Sequence, residues 1–318
     1  MIIRFNSTDR AVLTTLAYAD IFDFPLTAQE IFRYCIGKRV TGKSVRKSLS
    51  HLSGMHADEK TFFTLSKRNT ILSTRRQRGR ESFVKWRVAV RTARFLAYIP
   101  SIMFVGVTGA LAIGNAGRED DIDIFIVVKR KTLWVTRILT VLSVEILGNR
   151  RHPNQKEVAN SICLNMFVSE DGLAIPHDDR DVYAAHEALQ MVPVWEQKGA
   201  YKRFLDSNKW VRRYLPNWWG EKKHALSGGN AEGTICVGGV LSFGPLLPII
   251  LFVFRLFEPI AKQIQVSYMQ KRRTNEVICD TVVRFHPRDT RGYVREQLHK
   301  RLTPLKIPLD NVFVMSIK

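Results

Sequence analysis

Acidic residues are scarce in this chain: 29 Asp and Glu face 49 Lys and Arg over 318 residues, a formal net charge of +20. A field of that sign disfavours basic partners and draws polyanions such as nucleic acid, nucleotides or an anionic membrane surface. Cysteine is scarcer still. Cys35, Cys163, Cys236 and Cys279 lie far apart with no C-x-x-C pair. That argues against a zinc site and a disulfide framework and fits a reducing cytoplasm. The apolar stretch in Met1-Ile2-Ile3-Arg4 is too short for a signal peptide. Internal repeats and low-complexity tracts are absent, and only Gly233–Phe254 forms a long run without charge. What remains is 45% hydrophobic and 10% aromatic, a composition that folds and can bury sizeable cores in two or three domains.

The most informative stretch is 104–128. Phe104–Val107 reads as a strand, broken at Gly109-Ala110 and resumed at Asp121-Ile122-Asp123-Ile124 ahead of Phe125–Val128. Alternate side chains on a strand share a face, so Asp121 and Asp123 point one way and Ile122 and Ile124 the other. Two adjacent carboxylates repel unless a cation or a shared proton relieves them. Mg²⁺ takes hard oxygen ligands, often one or two carboxylates plus substrate phosphates. The Gly109 turn offers backbone N–H groups to a polyphosphate. These parts describe a metal-assisted phosphoryl-transfer site.

This arrangement resembles the DNA polymerase beta-like nucleotidyltransferase superfamily. In that family a Gly-Ser or Gly-Gly turn after a strand precedes Asp-x-Asp or Asp-x-Glu at a similar separation. The resemblance implies an α+β fold with a mixed sheet and helices. It implies that Thr108, Gly109 and Ala110 approach a nucleoside triphosphate, and that Asp121 and Asp123 are catalytic and hold two Mg²⁺ or Mn²⁺ ions. The reaction would move a nucleoside monophosphate to an acceptor hydroxyl. Arg118 in the intervening loop, with Lys129, Arg130 and Arg137, could add charge-assisted bonds to phosphate. Two departures stand out. The family's common Ser after the Gly is Ala110. The third carboxylate, usually brought by a later strand, is matched in Ser161–Val168 by Asn165, which cannot abstract a proton as a carboxylate can. Glu170 and Asp171 follow on an expected turn. The alternative reading is a decayed enzyme serving as a nucleic-acid-binding regulator.

Ahead of this core, Ser7-Thr8-Asp9 offers caps for a helix carrying Val12, Leu13, Leu16 and Ala17. Thr27 and Glu30 form a capping box for a second helix to about Ile36, ended by Gly37. A third helix begins near Gly42, and Thr61–Leu65 reads as a strand. Three helices closing on a strand pair resemble a winged-helix domain over 7–68, whose basic helix holds Lys43, Arg46, Lys47 and His51. Residues 67–94 are strongly basic, and 1–100 hold 19 Lys and Arg against 7 Asp and Glu. Residues 43–94 are therefore a candidate nucleic-acid track. Val84, Val88, Phe95 and Leu96 give this stretch an apolar face from about residue 82, so it is expected to be a linking helix.

Further on, Lys131–Leu147 reads as a helix capped by Gly148, and Ala184–Met191 and Tyr201–Tyr214 are helical. Pro216-Asn217-Trp218-Trp219-Gly220 reads as a loop, 220–233 as a linker, and Phe285–Asp289 as a turn. His177-Asp178-Asp179 reads as an exposed loop. Gly233–Phe254 is long enough to span a bilayer. Gly238-Gly239, Gly244-Pro245 and Pro248 favour instead a bent hairpin or helix pair buried against the core. Glu258–Met269 and Tyr293–Leu302 are expected helices. The expected division is 1–68 winged-helix-like, 69–98 basic linking helix, 99–220 nucleotidyltransferase core, and 221–318 apolar segment with a helical C-terminal region. The expected location is cytoplasmic, with membrane association through 233–254 left open.

Overall fold

The computed structural model describes residues 5–52, 62–65, 70–148, 150–152, 155, 157–227, 244–270, 277–284 and 290–309. The chain opens with α1 (Ser7–Asp20), β1 (Leu26–Thr27), α2 (Ala28–Arg33), α3 (Gly42–His51) and β2 (Phe62–Phe63). The first cap falls one residue earlier than expected. Asn6 accepts from the backbone of Thr8 and Asp9, and the Asp9 carboxylate accepts from the Asn6 N–H. The Thr27–Glu30 box opens α2 as anticipated. β1 and β2 pair antiparallel.

The linking helix α4 (Thr70–Leu96) fills the expected 69–98, although its apolar face was legible only from about residue 82. Its first turns are fixed by contacts that spacing along the chain does not reveal. Arg75 forks onto both Glu30 carboxylate oxygens and lies over the Phe24 ring at 4.2 Å and the Phe62 ring at 4.7 Å.

Beyond α4 come β3 (Ile102–Val107), α5 (Gly109–Ala112), β4 (Ile122–Val128), α6 (Leu133–Ile146) and β5 (Ile162–Ser169). Then follow α7 (Val182–Gln190), β6 (Val192–Glu196), α8 (Ala200–Ser207), α9 (Pro216–Ser227), α10 (Leu247–Gln270), β7 (Val277–Ile278), β8 (Val282–Arg284) and α11 (Thr290–Leu302). Six strands form one mixed sheet in the order β6-β3-β4-β5-β8-β7. Among the described strands only β4 and β5 pair in parallel, and α6 is their crossover. The fold is α+β.

The sheet has two buried faces. Val105, Val107, Ile122, Ile124, Ile126 and Val128 pack under α4, α6 and α10. Phe104, Phe125, Val127 and Val168 join a second cluster with α7, α8, α11 and the N-terminal helices. Each fully buried Ile or Val contributes roughly 1.5–3 kcal/mol. A one-residue slip of β4 would turn this whole set over, so the register that places Asp123 opposite Ile122 and Ile124 is strongly fixed.

Three expectations need correction. Pro216–Gly220 is not a loop, nor is all of 220–233 a linker: α9 starts at Pro216, whose fixed φ suits a first helical turn, and runs to Ser227. β6 and the β7–β8 pair had no alternating pattern to reveal them. The described part of the uncharged run is not a buried hairpin, because Leu246, Ile249, Phe252 and Val253 are exposed. Residues 233–243 and Phe285–Asp289 lie outside the described residues.

Candidate functional site

The site forms where β3 ends. Thr108 donates its N–H to the Asp123 carbonyl at 3.0 Å, tying the turn to the next strand. Gly109 follows at φ +65°, and a Cβ there would lie 2.7 Å from the Asp123 Oδ2. Only glycine accepts both the left-handed backbone and this approach without strain. Asp123 is thereby held against the turn.

Across the parallel ladder Asp123 faces Cys163 on β5. Ligand atoms of Asp121, Asp123 and Cys163 all lie within 4.8 Å of one another. Arg151 donates to the Asp121 Oδ2 and approaches the Cys163 Sγ at 3.8 Å. Burial, and then the Asp121 charge, push the Asp123 carboxyl up to about 7, while the Cys163 thiol's hydrogen bond and Arg151 pull the other way. Burial and the two carboxylates push the Cys163 thiol far above its usual range, so it stays protonated. The two carboxylates offer hard oxygens that fit Mg²⁺ or Mn²⁺, and the thiol is a poor ligand for either.

A third carboxyl group sits nearby. Glu187, half-buried on α7, is pushed up to about 8, first by burial and then by the Asp123 charge. Glu187 and Tyr183 line two cavities. One, of about 380 Å³, is bounded also by Thr108, Phe125, Asn165 and Arg291. The other, of about 190 Å³, is bounded by Gly109, Ala110 and aromatic groups including Tyr18, Phe24 and Trp218. Asn165 is thus on the site's side of β5, and its buried Oδ1 has no hydrogen-bond partner.

Other expected groups stand apart. The Arg118 side chain is exposed, paired loosely with Glu119 at 4.0 Å. Glu170 donates its N–H to the Val128 carbonyl at the far end of β4, five residues and roughly 17 Å along the strand from Asp123. Glu170 and Asp171 therefore cannot serve as the missing acid, and Arg130 is engaged there with Asp171. Arg137 bonds Gln265. His177-Asp178-Asp179 is a single turn whose Asp179 pairs with Arg284 and Arg291.

Sequence reasoning missed Lys85. This buried lysine donates to the Arg118 carbonyl at 3.0 Å, the Asp120 carbonyl at 2.6 Å and the Asn160 Oδ1 at 3.2 Å. It clasps the loop that delivers Asp121. Burial lowers its pKa, opposed by Asp120 and Glu81. Arg151, Cys163 and Glu187 were missed too. The only sequence signal for Lys85 was its place among buried positions Ser82 and Ala89 on one helix face.

No protein-family model, curated protein or solved structure matches this chain.

Proposed function

We propose that this protein is a metal-dependent nucleotidyltransferase that joins a nucleoside monophosphate from a nucleoside triphosphate to an acceptor hydroxyl and releases pyrophosphate. The observation that carries this reading is the Asp121–Asp123 pair on one strand face, with Asp123 pressed against a left-handed Gly109 at the end of the preceding strand. The polymerase beta-like core belongs to 99–220, with a winged-helix-like region over 1–68.

Asp121 and Asp123 would hold Mg²⁺ or Mn²⁺, which when bound neutralises phosphate charge and aligns the entering and leaving oxygens. The chain's own groups do the rest. Backbone N–H groups of the Gly109 turn face the triphosphate. The acceptor oxygen loses its proton, bonds to the α-phosphorus, and the bond to the β-phosphate bridge breaks. Glu187, in the ionised form it adopts above about 8, takes that proton, in the role left vacant by Asn165. The Asn165 Oδ1 accepts a hydrogen bond from a substrate N–H or O–H.

Calorimetry with a non-hydrolysable nucleoside triphosphate tests the reading. Binding should require Mg²⁺ or Mn²⁺ and disappear in Asp121→Asn and Asp123→Asn, while both variants keep the native circular dichroism. Nucleotide and metal binding unchanged in both would end it.

A second reading, a catalytically decayed regulator that binds nucleic acid, draws on α3. Its Val45 and Leu49 are buried, whereas Lys43, Arg46, Lys47 and His51 are exposed. Duplex or structured RNA should then bind with an affinity that falls steeply with salt. Salt-insensitive or absent binding leaves α3 as a packing element.

A further inference from the structure

The large apolar side chains on the surface are gathered on one side of the molecule. Among the described residues sixteen are exposed, and fifteen of them belong to α4, α6, α10 and the turns flanking these helices; Tyr293 on α11 is the exception. These three helices cover the sheet face opposite the Asp pair.

Helix α10 dominates this surface. Its inner side is fastened to α6: Glu258 accepts from the Trp134 and Val135 N–H groups at 2.8 and 3.0 Å, and Gln265 donates to the Trp134 carbonyl at 2.8 Å. Ala261 and Met269 are buried beneath it. The outer side carries Ile249, Phe252, Leu256, Ile260 and Ile264, each 55–67% exposed. Their spacing makes one stripe, extended by Tyr268 to roughly 29 Å at the helical rise per residue. Contiguous apolar patches of this kind mark interaction sites, whereas scattered exposed apolar residues do not.

The charge around the stripe selects the occupant. On α4, Arg87, Arg91 and Arg94 line an open groove of about 650 Å³ together with Phe83, Trp86 and Tyr98. Arg87 lies over the Phe83 ring at 4.9 Å. Acids are few in the layer, one on each helix. Glu81 lies on α4, Glu145 on α6 pairs with Arg150, and Glu258 on α10 turns inward. Arginines interleaved with aromatic rings beside an apolar stripe match the headgroup and acyl zones of an anionic bilayer. A second copy of this chain would instead set two surfaces of the same sign against each other, each on a molecule of net charge +20. On the inner side, Glu258 and Gln265 are bonded to α6 and hold this helix along the core.

We propose that the α4–α6–α10 face is a monotopic docking surface for an anionic lipid bilayer. Helix α10 lies in the boundary between headgroups and acyl chains, and the α4 arginines rest on lipid phosphates. Docked this way, the Asp121–Asp123 face remains turned toward water. The inference does not depend on the reaction proposed above.

Flotation of the full chain with vesicles tests it. The protein should float with equimolar phosphatidylcholine and phosphatidylglycerol, should stay below with phosphatidylcholine alone, and should be stripped by alkaline wash. Phe252→Ser and Leu256→Ser alter exposed positions and should keep the melting temperature. Each should lower vesicle partition about tenfold or more, because a buried apolar side chain is lost. Arg87→Gln, Arg91→Gln and Arg94→Gln should each lower it roughly fivefold. Tyr293→Ser should change nothing. Three outcomes overturn the proposal: no flotation by the native chain, retention after alkaline wash, or a soluble dimer that Phe252→Ser converts to monomer without any vesicle binding.

Discussion

Replacing Gly109 with alanine separates backbone strain from contact with the carboxylate. The φ of +65° costs a side chain about 1–2 kcal/mol at this position. The new Cβ would also meet the Asp123 Oδ2 at 2.7 Å, so the carboxylate must leave its rotamer, at a further cost of roughly 0.5–1.5 kcal/mol. Together the loss is about 1.5–3.5 kcal/mol. Gly114 supplies the control, because it has φ +69° and nothing within 4 Å of its Cβ position. Gly114→Ala should therefore lose only the strain of about 1–2 kcal/mol. Urea unfolding measures both variants, and titration with Mg²⁺ and a nucleoside triphosphate measures the site. Gly109→Ala should be the less stable and should lose nucleotide binding, while Gly114→Ala keeps it. If the two variants match in stability and both bind nucleotide, the close approach of turn to carboxylate has no functional meaning.

Lys85→Met removes one donor from each of three acceptors and should destabilise the chain by about 2–4 kcal/mol in urea. It should also raise the KM for nucleotide more than it lowers kcat, since Lys85 positions the Asp121 loop without touching the substrate. Glu187 makes a pH prediction. A carboxyl group held at about 8 in the fold and near 4.5 when unfolded keeps its proton in the native state while the unfolded chain releases it. Stability should therefore fall as pH rises from about 4.5 to about 8, and Glu187→Gln should flatten that slope in urea titrations at several pH values. Asn165→Asp restores a carboxylate to the cavity and should raise a measurable transfer rate, by up to about 10²–10⁴-fold if it acts as the base. An unchanged rate assigns that role elsewhere.

The parts of this fold legible in the sequence are those governed by near neighbours. Thr27 and Glu30 close a capping box three residues apart, and the alternation of Asp121 and Asp123 with Ile122 and Ile124 orients β4 without any knowledge of the sheet. The missed groups owe their roles to distant parts of the chain. Lys85 meets Asn160 across 75 positions and Arg151 meets Asp121 across 30. Glu187 lies on a helix whose neighbours Ala185, Ala188 and Leu189 make it read as packing. The reading of Pro216–Gly220 as a loop gave weight to Pro and Gly as breakers, although Pro at a helix start and buried Trp218 support α9. The uncharged run misled for a related reason. Its prolines and paired glycines favour a bent, buried hairpin, but the described part enters helix α10, whose apolar side faces outward.

The most direct test of the central claim is transfer itself. The full chain is incubated with each α-³²P-labelled nucleoside triphosphate and a cell lysate as the source of acceptor, with Mg²⁺ or with EDTA. The account predicts labelled acceptor and released pyrophosphate with Mg²⁺ only, both lost in Asp121→Asn and Asp123→Asn. Labelling that survives in those variants, or no labelling with any nucleotide while the chain binds RNA in a salt-dependent way, would contradict it.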